Sequence, residues 1–300
     1  MQNRSPLYFT LIVSLGGFLF GFDASVISGA IVYLDAIFEL NSLSKGWIVS
    51  APSFSAMFAM LGAGILSDRI GRKKTLQLVA FCFVLSAFLS AISQDIGSLI
   101  AARMLGGMAF GGALIIVPVY ISEISPAEQR GRLVSIQQMN IVLGFLAAYF
   151  SNYIIVVYFD QWLSELNIWR WMLAVELLPA IIYVTLLPKI SESPIWLKSR
   201  PSLIKRRQTA KEEASSFRSI LLFSNSFLDW FICQKKNLST LWSATWRQIF
   251  LVAIFLGIIQ QLSGINAIFF YATSIFEKTG IGIDASLAQT VAVGLNAVRK

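Results

Sequence analysis

The chain has 300 residues, of which 56% are hydrophobic and 13% charged, with a net charge of +8 and a mean hydropathy of +0.69. Soluble domains carry about 25% charged residues, so the composition excludes an ordinary soluble domain and points to a chain built inside a lipid bilayer. Histidine is absent, which removes the usual general base and the usual metal ligand; neither a metal nor another cofactor is expected.

Apolar runs of the length a bilayer requires, about 20 residues each, recur along the chain. Their punctuation places helices at 7–34, 44–66, 75–93, 97–122, 133–158, 169–188 and 248–275, with an eighth starting near Ala285. Only helices satisfy their own backbone polar groups in lipid, so the fold class is an all-α membrane protein. The first run has a weak basic flank and continues well past signal-peptide length, so it reads as a retained helix. The layout divides into a six-helix half at 1–188, a basic linker with amphipathic stretches at 189–247, and the start of a second half at 248–300. Cys82 lies in an apolar run and Cys233 in the basic linker, which argues against a disulfide.

Charge alternates from one connection to the next. The turn at 67–74 holds Arg69, Arg72, Lys73 and Lys74, the turn at 123–132 holds Arg130 and Arg132, and the linker at 189–247 is strongly basic. The other connections carry Asp35 and Glu39, then Asp95, then Asp160 and Glu165. The positive-inside rule therefore predicts a cytoplasmic N-terminus and cytoplasmic basic loops; the expected location is the plasma membrane, a bacterial inner membrane in particular. Because the basic residues sit beside apolar runs, the net charge gives no reason to expect nucleic acid as a partner; the bilayer is the partner implied.

Three groups of polar residues need a reason to be where they are. The basic turn runs Gly64-Ile65-Leu66-Ser67-Asp68-Arg69-Ile70-Gly71-Arg72-Lys73-Lys74, where Gly71 permits a tight turn and Arg72 can hold a carboxylate with two hydrogen bonds. Asp23, Arg103 and Glu176 are ionisable residues inside apolar runs. Such residues are costly in lipid and mark ion or substrate paths more often than not; a static pair that fixes helix packing is the plainer reading. The third group is Gln260-Gln261-Leu262-Ser263-Gly264-Ile265-Asn266. Amides both donate and accept, as a hydroxyl-rich solute demands, although amides in lipid also serve to join helices. Gln260 and Gln261 point about 100° apart on a helix, and Gly264 permits a local break.

The turn at 64–74 resembles the signature between the second and third helices of the major facilitator superfamily. Arg103-Met104-Leu105-Gly106-Gly107, Glu123-Ile124-Ser125-Pro126-Ala127-Glu128-Gln129-Arg130-Gly131-Arg132, Glu192-Ser193-Pro194 with Trp196-Leu197, and Gln260 to Asn266 follow in order. Taken together they resemble the sugar porter family of that superfamily. Ser191 stands where the family has proline and Ile195 where it usually has arginine, which leaves one salt bridge of the family without its cation.

The resemblance implies a major-facilitator helical bundle, and transport of a monosaccharide or polyol by alternating access, as symport with a proton. It assigns proton coupling to Asp23, Arg103 and Glu176. It assigns sugar contacts to Phe20, Gln138, Gln260, Gln261, Asn266, Phe270 and Tyr271, with Phe270 where many relatives have tyrosine. It assigns gating salt bridges on the basic side to Asp68, Arg72, Glu123, Arg130 and Glu192. Family members have twelve helices in two halves, and this chain reaches the start of the eighth. A missing C-terminal half, or a second copy in an oligomer, is therefore a candidate partner. A shortened remnant without transport, or a membrane protein that binds or senses sugar, is the alternative reading. A membrane enzyme is disfavoured, because no nucleophile–base pair, metal cluster or phosphate-binding loop is legible.

Overall fold

The computed structural model describes residues 5–159, 165–198, 251–252, 254–259, 262–264 and 271. The chain divides into two compact units, residues 1–197 together with 269–300, and residues 198–268. Among the described residues of the first, seven α-helices follow one another: α1 (Pro6–Phe38), α2 (Ser42–Ile70), α3 (Arg72–Ile92), α4 (Ile96–Ile124), α5 (Arg130–Phe159), α6 (Glu165–Ala174) and α7 (Leu177–Leu186). They make up six spans long and apolar enough to cross a membrane, the sixth being Asn167–Lys189.

The helix ends follow from local chemistry. Pro6 opens α1, where its missing N–H is not needed. Asn41 caps α2 by accepting from the Ser44 amide at 2.7 Å. Asp95 and Ser98 form a capping box at the start of α4, and the bonds from the Ser98 amide and hydroxyl hold the Asp95 carboxyl below the usual carboxylate range. Several helices run longer than expected, α2 reaching from Ser42 to Ile70 in place of 44–66.

One expectation needs correction. The span expected as a continuous helix at 169–188 is broken at Val175–Glu176 between α6 and α7. Pro179 has no N–H for the Val175 carbonyl four residues earlier. That carbonyl accepts from the Leu178 amide at 3.1 Å instead, and the helix resumes with the Ala180 amide on the Glu176 carbonyl at 3.2 Å. The break puts Glu176 at the first turn of α7 rather than midway along one helix.

α1 is the central helix, packed against α4, α5, α6 and α7, while α2 and α3 both lie on α4. Leu19, Val26 and Ile27 of α1 are fully buried. The core has two clusters. One gathers Leu19, Phe83, Phe110, Tyr120 and Tyr183; the other gathers Phe22, Ile27, Leu34, Ile48, Leu99 and Trp169. Burying such side chains contributes about 1.5–3 kcal/mol each against water. In a bilayer, close packing and hydrogen bonds between helices take over much of that role. Accordingly the α1–α5 contact carries a polar seam: Asn140 Nδ2 donates to Ser14 Oγ at 2.5 Å and Asn152 Nδ2 to the Val26 carbonyl at 3.1 Å.

Residues 190–197, expected at the start of the linker, fold onto this first unit through contacts described below. In the second unit, Leu251, Val252 and Ile254–Ile259 are helical, with exposed apolar side chains, and Gly264 is out of the helix with a φ of +70°. That is where the amide motif permits a break. Gln260, Gln261, Asn266 and Phe270, the rest of the expected linker and the eighth helix lie outside the described residues.

Candidate functional site

Two constellations of charged residues stand out, one buried in mid-bundle and one at the α2–α3 turn. The buried one begins with the burial itself: Asp23 is 3%, Arg103 1% and Glu176 3% exposed. α1 supplies Asp23 and α4 supplies Arg103, while the proline-induced break between α6 and α7 supplies Glu176. Arg103 Nη1 lies 3.4 Å from Asp23 Oδ1. Arg103 Nη2 donates to the Asp23 backbone carbonyl at 3.3 Å, and Nε donates to the Ile48 carbonyl of α2 at 3.2 Å. Glu176 lies within electrostatic range of both Asp23 and Arg103.

This ion pair is loose. Neither Arg103 Nη1 nor Asp23 Oδ2 has a hydrogen-bond partner among the described residues, whereas a tight arginine–carboxylate pair makes two parallel bonds of about 2.7–2.9 Å. The charge count matters more. Two carboxyl groups share one guanidinium, so the group is neutral only when it carries one proton. A buried unbalanced charge is disfavoured strongly enough that such groups bind a proton rather than stay charged. The arrangement is thus suited to taking up and releasing a single proton.

The second constellation is built on the turn at Gly71, whose φ of +102° a side chain would rarely adopt. Arg72 then points back over α2. Its Nη1 donates to Asp68 Oδ1 at 2.6 Å and to the Ser67 carbonyl at 3.1 Å; Nε and Nη2 hold both oxygens of Glu123 at 3.1 and 3.0 Å. The Arg72 and Glu123 side chains are only 11% and 10% exposed, against 71% for Asp68. Glu192 Oε1 accepts from the Lys73 amide at 3.0 Å, so its carboxylate caps the N-terminus of α3.

The structure therefore brings Asp68, Arg72 and Glu123 together and seats Glu192 at the same turn. Arg130, expected in this network, is exposed at the start of α5 and forms no ion pair among the described residues. Four hydrogen bonds here were not singled out from the sequence. Lys73 Nζ donates to the Pro188 and Ile190 carbonyls, both at 2.7 Å, Trp196 Nε1 donates to the Asp68 carbonyl at 2.8 Å, and the Tyr120 hydroxyl donates to the Ser191 carbonyl at 2.7 Å. The Lys73 and Trp196 bonds hold residues 188–196 to the α2–α3 turn, and the Tyr120 bond holds Ser191 to α4. The Trp196-Leu197 motif was a visible signal for one of them; Lys73 read only as one more basic residue.

Of the expected sugar contacts, Phe20 is half-buried beside Phe110 and Phe145, with ring centroids 4.7 and 6.5 Å away. Gln138 is exposed on α5 while its neighbour Gln137 is buried. Tyr271 is half-buried against the second core cluster.

Comparison with known proteins places these features in a family. The family described as "Sugar (and other) transporter" matches residues 9–299. The glucose transporter GlcP of Staphylococcus epidermidis is 34% identical over 98% of this chain and 64% of its own length. The galactose-proton symporter of Escherichia coli is 32% identical over 98% of this chain and 65% of its own. Among solved structures, a partially occluded inward-open conformation of the xylose transporter XylE from E. coli superposes with a TM-score of 0.75 at 27% identity, over 98% of this chain and 69% of that one. The chain spans less than two-thirds of the length of these two sequence relatives.

Proposed function

We propose that this chain, which belongs to the sugar (and other) transporter family of major-facilitator membrane proteins, serves proton-coupled transport of a monosaccharide or polyol. The observation that carries this reading is the buried group of Asp23, Arg103 and Glu176, in which one guanidinium faces two carboxyl groups. Relatives include proteins named as sugar-proton symporters, and the proton-balanced charge count of this site is what such a reaction needs. The chain sits in the plasma membrane with its N-terminus and the α2–α3 turn on the cytoplasmic side, as the loop charges require.

Transport proceeds by alternating access around a central site. Gln138, Gln260, Gln261 and Asn266 hydrogen-bond the sugar hydroxyls, and Phe20, Phe270 and Tyr271 offer flat faces to its C–H groups. The Arg72 group with Asp68, Glu123 and Glu192 closes the cytoplasmic side by tying α2, α3, α4 and the 190–197 segment into one block. The closed state ends when those bonds part.

The substrate half of this reading is tested by calorimetric titration of the purified chain with hexoses, pentoses and inositol. Gln261→Ala removes a group that both donates and accepts, and is expected to weaken binding of the preferred sugar about tenfold. Unchanged affinity would remove Gln261 from the site.

A further inference from the structure

We infer that Pro52 is a positioning residue for the buried charges: it leaves the Ile48 carbonyl without a partner inside α2, and that carbonyl fixes Arg103 beside Asp23. The inference rests on the proton-coupling reading only for its functional consequence; the placement stands on geometry. In an α-helix each carbonyl accepts from the amide four residues on. Pro52 lies inside α2 and has no amide hydrogen, so Ile48 is the residue whose carbonyl is left open. Ile48 is fully buried, and an unmet carbonyl at that depth costs about as much as a lost hydrogen bond. Arg103 Nε fills the gap at 3.2 Å.

The second anchor is also main chain, the Asp23 carbonyl that accepts from Nη2 at 3.3 Å. Neither bond depends on whether the Asp23 carboxyl is charged. With Nε and Nη2 committed to α2 and α1, Nη1 is held 3.4 Å from Asp23 Oδ1 and cannot close into a two-bond pair. The guanidinium is thus a fixed counter-charge, and the carboxyl is the part that changes when a proton arrives. Among the described residues, the charged groups facing Asp23 are Arg103 from α4 and Glu176 from the α6–α7 break. α2 and α3 contribute neutral groups: Ser55 Oγ bonds the Met104 carbonyl at 2.7 Å and Ser86 Oγ the Ala102 carbonyl at 2.8 Å.

Nitrogen-15 NMR of the arginine Nε–H groups, on the 300-residue chain in lipid nanodiscs, tests the placement. Arg103→Lys identifies the Arg103 signal by deleting it. In Pro52→Ala, the new amide takes the Ile48 carbonyl; the Arg103 signal is expected to shift, and its proton to exchange with water about tenfold faster, the equivalent of one hydrogen bond. Ser55→Ala, which cuts a neighbouring α2–α4 bond without touching Ile48, is expected to leave that signal in place. An unchanged Arg103 signal in Pro52→Ala, or an equal change in Ser55→Ala, would overturn the inference. Should Pro52→Ala not fold, dipolar coupling between carbon-13 isoleucine carbonyls and Arg103 Nε in the unaltered chain reads the same contact, and its absence overturns the inference outright. In the working transporter, Pro52→Ala is expected to lower sugar-driven proton uptake about tenfold. The contact present in a chain with no such uptake would sink the transport reading and support the placement; uptake without the contact would do the reverse.

Discussion

Replacing Asp23 with asparagine is expected to lower sugar-driven proton uptake at least about 100-fold while sugar binding stays near its original strength. The reason is charge arithmetic. With Asp23, Arg103 and Glu176 all present, neutrality requires one bound proton. Asparagine keeps the shape and the backbone carbonyl that Arg103 Nη2 uses, but Arg103 and Glu176 then balance each other with no proton at all. Glu176→Gln is expected to behave alike, because Asp23 and Arg103 would balance. Sugar contacts are assigned to other side chains, so affinity has no direct reason to fall. The measurement pairs proton uptake by membrane vesicles after a sugar pulse with equilibrium binding of the same sugar. Full proton uptake in Asp23→Asn would refute the role given to this carboxyl.

The second large effect concerns the α2–α3 turn. Arg72→Ala is expected to destabilise the bundle by about 3 kcal/mol. Three features set that size. Arg72 bonds Glu123 through two nitrogens, both side chains are about nine-tenths buried, and the deletion leaves the Glu123 carboxylate without its partner. Asp68→Ala removes a shorter contact, 2.6 Å, yet from a carboxylate that is 71% exposed. Water and ions screen that charge, and the loss is expected to stay below about 1 kcal/mol. Glu123→Gln in the Arg72→Ala background is expected to recover part of the loss, since a neutral amide tolerates burial better than an unpaired carboxylate. Denaturant unfolding of the purified variants in detergent separates these cases. Equal losses for Arg72→Ala and Asp68→Ala would show that the burial argument fails.

Much of this was legible in the sequence, for physical reasons that differ by element. The spans could be read because each must be about 20 residues of apolar chain, and charged turns separate them. Their ends could not, because caps such as Asn41 and the Asp95–Ser98 box extend helices through polar residues. The break at Val175–Glu176 was missed although Pro179 was in plain view, since the apolar run continues across it. In the turn, Asp68, Arg72, Glu123 and Glu192 form recognisable motifs; the first three side chains do meet, and Glu192 reaches the Lys73 amide of the same turn. Arg130 belongs to the same motif and stays in solvent. Buried ionisable residues announce themselves in an apolar run, so Asp23, Arg103 and Glu176 could each be picked out. What linear order hides is who holds Arg103: two backbone carbonyls, one of them opened by a proline on another helix. The seat of residues 188–196 on the α2–α3 turn was hidden for the same reason, since Lys73 and Trp196 reach main-chain oxygens that carry no sequence label.

The most direct test of proton-coupled sugar transport is uptake of labelled hexoses, pentoses and inositol by transporter-deficient cells expressing these 300 residues, with and without a proton uncoupler. Accumulation of at least one of these solutes, collapsing when the uncoupler is added, is the expected result. No uptake despite good membrane expression, or uptake indifferent to the uncoupler, would contradict it.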